Sequence, residues 1–282
     1  LERLYLIHMN PAGRSLPVQR PLRTAFTAMP SPAHILILKL GDTLPELAAE
    51  LGDFEHWVAQ GLHSSGLPLD ITTLDPRTDT SQLPAVATLL ARRSGVVLTG
   101  SHAMVTDRAP WSEATARWLA DAVPQSVPVL GICYGHQLLA HALGGEVWPH
   151  PGGLEVGTVH VEPTPAAAAD PLFGPWLADL EADRFLAPVA HRQSVRRLPA
   201  GATVLARNAF EPHHAFSVGP CAWGVQFHPE FSAQATRGYV DHLSADVRTQ
   251  GVCASGLMAQ VAPSPQAARL LPRFARLVAE RT

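Results

Sequence analysis

Cysteine, aromatic side chains and charge are all scarce in this sequence of 282 residues. The three cysteines, Cys133, Cys221 and Cys253, are widely spaced and odd in number. They outline no disulfide framework and leave at least one thiol free, which points to a reducing, cytoplasmic setting. Only 16% of the residues are charged, and the formal net charge is -3. No broad basic field is there to attract phosphates, which argues against nucleic acid or an anionic membrane as partner and in favour of a small-molecule substrate. No apolar run is long enough to span a bilayer. The histidines are numerous, but no CxxC or HExxH spacing occurs, and adjacent His213 and His214 would point to opposite faces of a strand. Neither a metal nor another cofactor is expected.

What is present is apolar: 46% of the residues are hydrophobic, enough for a sizeable core in one large α/β domain or two small ones. Residues 1–32 stand apart. They carry Arg3, Arg14, Arg20 and Arg23 against the single acid Glu2, a composition vaguely like a transit peptide. The plainer expectation is a disordered or non-native extension ahead of a natural start at Met29, with the folded domain occupying 33–282.

Short apolar runs then alternate with helical patterns. Residues 34–40 read as a buried parallel strand, and 69–74, 95–99 and 127–132 as further strands. Between them, 44–62, 85–93 and the segment opened by Pro110-Trp111 read as helices, and 134–143 follows as another, stopped by Gly144-Gly145. This alternation predicts a flavodoxin-like, doubly wound, mostly parallel sheet. Beyond Gly145 the pattern changes to short strands at 156–161, 185–189, 202–206, 215–218 and 222–227, predicting an added antiparallel section. A proline- and alanine-rich connection covers 163–175, a helix returns at 232–249, and a terminal helix at 267–281 is expected to be interrupted at Pro272.

Gly131-Ile132-Cys133-Tyr134-Gly135 has the form G-x-C-x-G between a strand and a helix, a nucleophile elbow with sulfur in place of oxygen. The flanking glycines permit the tight turn, and the helix aims its free N–H groups and positive dipole end at Cys133. The Tyr134 N–H is placed to help hold an oxyanion. A buried structural cysteine would be the ordinary alternative for an isolated thiol; the strand-turn-helix setting favours the nucleophile.

Such a thiol needs a base, and the base needs an orienting group. Gly224-Val225-Gln226-Phe227-His228-Pro229-Glu230-Phe231 supplies both. His228 and Glu230 lie two apart, so an extended segment would project them to one side, and Pro229 disfavours a helical bend at His228. A surface His and Glu at a strand end is the competing reading of this pair taken alone.

Residues 128–146 closely resemble the nucleophile region of the class I glutamine amidotransferases, and Gly-Val-Gln-Phe-His-Pro-Glu-Phe resembles that family's second signature, with His228 lying 95 residues after Cys133. The free-standing members similar to the amidotransferase half of GMP synthase look closest. Gly153-Leu154-Glu155-Val156-Gly157 and His191-Arg192-Gln193-Ser194-Val195 resemble further segments of theirs, the latter a His-containing loop. The resemblance implies a Cys133, His228, Glu230 triad, and an oxyanion hole of the Gly100 and Tyr134 N–H groups within and after Thr99-Gly100-Ser101. It also implies substrate contacts from Ser101, Gln137, His191 and Arg192. The His191 loop departs from the commoner Ser-His-Gly-Asp form, having Ala190, Arg192 and Gln193, which opens the site to γ-glutamyl ligands other than glutamine.

The reaction so implied is hydrolysis of the γ-amide of glutamine through a thioester. With no P-loop in the sequence, the ammonia is expected to pass to a separate synthetase subunit or to be released. A γ-glutamyl peptidase or hydrolase with the same triad and a non-catalytic regulatory subunit are the alternatives; a dienelactone-hydrolase-like enzyme would leave the His-Pro-Glu pairing unexplained.

Overall fold

The computed structural model describes residues 32–178, 180 and 183–281; the expected N-terminal extension lies outside them, apart from Pro32. The first half alternates strands and helices: β1 (Ala33–Leu38), α1 (Pro45–Leu51), α2 (Phe54–His63), β2 (Leu69–Leu74), α3 (Val86–Ala91), β3 (Gly95–Leu98), α4 (Pro110–Ala122), β4 (Val129–Ile132) and α5 (Tyr134–Ala142). The second half is richer in strands: β5 (Glu146–Pro149), β6 (Glu155–Pro163), α6 (Phe173–Leu177), β7 (Phe185–His191), β8 (Gln193–Arg197), β9 (Thr203–Arg207), β10 (Ala215–Val218) and β11 (Ala222–Val225). Five helices close the described chain: α7 (Ala233–His242), α8 (Ser244–Thr249), α9 (Ala254–Gln260), α10 (Pro265–Ala268) and α11 (Leu270–Glu280).

One nine-stranded sheet runs β2-β1-β3-β4-β11-β10-β9-β6-β7. Its first five members pair in parallel, and β10, β9, β6 and β7 continue it antiparallel. Strands β1, β3, β4 and β11 are buried at every position, because helices cover both faces. The period of two is visible in β1. Ile35 and Ile37 join Val58 and Leu62 of α2 and Phe274 of α11, whereas Leu36 and Leu38 join Leu89 of α3, Leu119 of α4 and Leu138 of α5. The expected doubly wound sheet with an antiparallel section is the observed architecture.

Several local expectations need correction. The helix expected over 44–62 is two, because Gly52 takes a positive φ of 83° and the Asp53 side chain caps a new start at Phe54. The bend sends Leu47 and Phe54 into a third cluster with Leu154, Phe231 and Tyr239, beside the site described below. The helix expected over 232–249 likewise divides into α7 and α8 at Leu243. The terminal helix is interrupted at Arg269, between α10 and α11, rather than at Pro272, which is the third residue of α11, in the first turn, where a missing N–H costs no internal bond. The segment after His191 is not a loop but β8, which pairs antiparallel with β5 in a separate two-stranded sheet. Proline at 149 and charge at 196–197 hid both strands from a reading based on apolar runs.

Candidate active site

Cys133 stands between β4, in the middle of the sheet, and the first residue of α5. Its backbone has φ 51° and ψ -101°, a conformation that side-chain-bearing residues rarely adopt. The flanking glycines work differently from expectation. Neither has a positive φ; they permit close approach instead. A Cβ on Gly131 would lie 2.4 Å from the Gly135 carbonyl oxygen, and one on Gly135 would lie 2.6 Å from Leu98 Cβ in β3. Helix α5 is thus pressed onto the strand ends, and Cys133 between them carries the strained backbone.

His228 follows β11, the strand beside β4. Its N–H donates to the Pro188 carbonyl at 2.8 Å, fixing the segment to the middle of β7. The backbone here is a turn rather than extended, closed by the Phe231 N–H to the His228 carbonyl at 3.3 Å. The turn still brings the two side chains together, with His228 Nδ1 and Glu230 Oε1 2.7 Å apart. Glu230 is buried, and its Oε2 has no hydrogen-bond partner among the described residues. The ring of Phe231 stacks on the imidazole at a centroid distance of 4.0 Å. On another side lies Gly100, where a Cβ would come within 3.1 Å of His228 Cε1. Nδ1 is engaged by Glu230, and Cys133 lies close enough to the imidazole to favour its charged form. Burial alone would push this imidazole down, but Glu230 and Cys133 outweigh it and hold its pKa up at about 10.

The sulfur opens onto a cavity of about 260 Å³, and Cys133 Sγ is 3.8 Å from the Ala190 carbonyl oxygen. Of the residues expected at the site, Ser101, Tyr134, Gln137, His191 and Arg192 line this cavity with Cys133. The Tyr134 N–H, at the start of α5, has no acceptor within its helix. Its phenol is turned away to Ser112 Oγ at 2.7 Å, and burial pushes it up to about 12. Ser101 is held close to Gly41, where a Cβ would sit 2.5 Å from Ser101 Cα.

Two expected contacts are largely spent inside the protein. Gln137 Nε2 donates to the Gln193 carbonyl and to Gln226 Oε1, both at 2.9 Å. The His191 ring is engaged at both nitrogens, Nδ1 by the Gln193 carbonyl at 3.0 Å and Nε2 by Glu155 Oε2 at 2.9 Å. Arg192 is half exposed and bonds Asp246 Oδ2 of α8 at 2.7 Å through one amino group.

The cavity also has walls that the sequence alone did not mark. His102 follows Ser101 in the loop after β3, and Tyr239, His242 and Leu243 come from one face of α7 and its end. The spacing of i, i+3 and i+4 in these last three was a legible signal of a shared face. Tyr239 Oη joins Thr43 Oγ1 at 2.9 Å and His102 Nε2 at 3.0 Å, tying α7 to the loops after β1 and β3. Burial, and then His242 and His228, hold His102 below the usual histidine range.

Residues 49–241 match the family of glutamine amidotransferase class-I domains. The chain belongs to that family. The GMP synthase (glutamine-hydrolysing) of Aeropyrum pernix is 35% identical over 179 residues, covering 64% of this chain and 31% of that enzyme. A γ-glutamyl-L-1-hydroxyisopropylamide hydrolase of a Pseudomonas species is 30% identical over 166 residues, covering 56% of this chain and 54% of its own length. The chain therefore spans about a third of the first relative and about half of the second. Among solved structures, a glutamine amidotransferase from Thermotoga maritima superposes with a TM-score of 0.66 at 20% identity, over 88% of this chain and 98% of the other. One from Methylobacillus flagellatus gives 0.58 at 24% identity, over 89% and 93%. These two similarities speak to the fold. Among the described residues no helix is long and apolar enough to cross a membrane.

Proposed function

We propose that the chain hydrolyses the γ-carboxamide of glutamine, or of a γ-glutamyl compound, through a γ-glutamyl thioester on Cys133. The reading rests on one observation above the rest: a buried His228–Glu230 pair set against a cysteine that opens into a cavity. His228 takes the thiol proton, the sulfur attacks the carbonyl carbon, and the N–H groups of Tyr134 and Gly100 receive the developing oxyanion. His228 then gives the proton to the departing nitrogen as the C–N bond breaks, releasing ammonia or an amine. Water, deprotonated by His228, attacks the thioester and frees the γ-carboxylate and the thiol. Glu230 holds the imidazole orientation and stabilises its charged form. Cys133 would also label with a glutamine-analogue electrophile.

Two readings of the leaving group follow. The likeness to GMP synthases supports ammonia passed to a synthetase partner. The likeness to a γ-glutamyl amide hydrolase, and the commitment of the His191 ring to Glu155, support an amine leaving group instead. Purified protein is to be given glutamine and, separately, γ-glutamyl peptides, with Cys133→Ala as control, while ammonia and glutamate are measured. Ammonia from glutamine supports the first reading, and glutamate from peptides alone the second. No turnover of either, with no labelling of Cys133, would sink both.

A further inference from the structure

We propose that the cavity in front of Cys133 prefers γ-amides with a net negative charge over zwitterionic glutamine, and that Arg192 meets the extra charge. This rests on the amidohydrolase reading above and deepens it by naming the substrate class. Besides Cys133, the titratable side chains on the cavity wall are His102, His191, Arg192 and His242, with the phenols of Tyr134 and Tyr239. Among the described residues no carboxylate lines it.

Acids outside the wall are already engaged, Asp107 Oδ2 accepting from the Met104 N–H at 3.4 Å. Glu230 holds His228 at 2.7 Å, on the far side of the imidazole from Cys133. Glu155 is bound by His191 at 2.9 Å and by Asn208 Nδ2 at 2.8 Å. Asp53 is taken by Lys39 and by the N–H groups of Thr43 and Phe54, each at 2.7 Å. Asp246 bonds Arg192 at 2.7 Å but does not itself line the cavity. An ammonium group entering here finds hydroxyls and carbonyls but no free carboxylate. A carboxylate finds a guanidinium with further N–H donors, whose counterion stands off the wall.

Glutamine brings one group of each sign, so this wall serves only half of its charge. Two kinds of γ-amide carry the surplus negative charge. One has its α-nitrogen neutralised by acylation, and the other has a carboxylate on the departing amine. Both share the chemistry that Arg192 recognises.

The test compares kcat/KM of the full chain for four substrates. Glutamine and γ-glutamylethylamide have no net charge; N-acetylglutamine and γ-glutamylglycine each carry one net negative charge. The expected result is an advantage of about tenfold or more for an anionic substrate over its neutral counterpart. N-acetylglutamine is set against glutamine, and γ-glutamylglycine against γ-glutamylethylamide. The pair that shows the advantage identifies where the charge sits. Arg192→Gln should shrink the ratio towards one, and Asp246→Asn, which frees the guanidinium, should widen it. Equal kcat/KM within both pairs overturns the proposal, as does an advantage that Arg192→Gln leaves intact. Labelling of Cys133 by a glutamine-analogue electrophile with no turnover of any of the four overturns this inference alone. Absence of both labelling and turnover overturns the amidohydrolase reading and this inference together.

Discussion

Two buried histidine–glutamate pairs are built almost alike, and of their four residues only His191 lines the cavity in front of Cys133. His228 meets Glu230 at 2.7 Å, and His191 meets Glu155 at 2.9 Å. The difference lies in the other nitrogen of each ring. That of His191 is closed off by the Gln193 carbonyl at 3.0 Å, whereas that of His228 is the one the proposed reaction leaves to Cys133. An imidazole whose two nitrogens are both held by the protein has no route for passing a proton to a substrate. The carboxylates differ in their partners: Asn208 Nδ2 bonds Glu155 Oε1 at 2.8 Å, whereas Glu230 Oε2 has no hydrogen-bond partner among the described residues. Burial pushes Glu155 up, but His191, His214 and Asn208 outweigh it and hold it below the usual carboxylate range. A buried His–Glu pair is therefore no mark of catalysis in itself; in the proposed reaction, the second nitrogen of His228 makes the difference.

Removing the open pair should have the largest effect. Cys133→Ala and His228→Ala should each lower kcat by roughly 10⁴-fold or more, and Glu230→Gln by roughly 10²- to 10⁴-fold. In Glu230→Gln the titration of His228, followed by NMR, should move down from about 10, because burial is then opposed less. The closed pair should behave in the opposite way. His191→Phe should keep turnover within about an order of magnitude of the parent while costing about 3–5 kcal/mol in urea unfolding, since it strands a buried carboxylate. Glu155→Gln in the same chain should restore part of that loss. A folded His191→Phe protein as inactive as His228→Ala would break the distinction between the pairs.

The last of these effects is set by pH. Burial depresses His214, beside Glu155, from 6.5 to about 4. The unfolded chain therefore binds more protons than the folded one between those values. Stability should fall as pH drops from 6.5 towards 4, by about 2 to 3 kcal/mol from this residue. His228 has the opposite sign: its contribution is full below 6.5 and is lost as pH rises through about 10. Unfolding free energies from pH 4 to 10, with His214→Gln flattening the acid limb, check both.

The sequence made β1, β3, β4 and β11 readable because those strands are buried on both faces and appear as apolar runs. Strand β2 has the expected bounds, Leu69–Leu74. Strands β5 and β8 escaped because they pair only with each other, carry charge on open positions, and leave Trp148 exposed. The approach of His228 to Glu230 was legible from a spacing of two, although a turn rather than a strand achieves it. The fate of His191 was not. Its partner Glu155 lies 36 residues away, brought opposite by the register of β6 against β7, which no local pattern encodes.

The backbone of Cys133, at φ 51° and ψ -101°, mirrors an extended conformation that glycine adopts freely and cysteine does not. Holding it there costs on the order of 1–3 kcal/mol. Cys133→Gly should therefore abolish turnover and still raise the melting temperature, by roughly 2–4 °C for each kcal/mol relieved. A selection that rewards robust folding alone would remove the nucleophile, so only a screen that also demands turnover would keep residue 133 a cysteine.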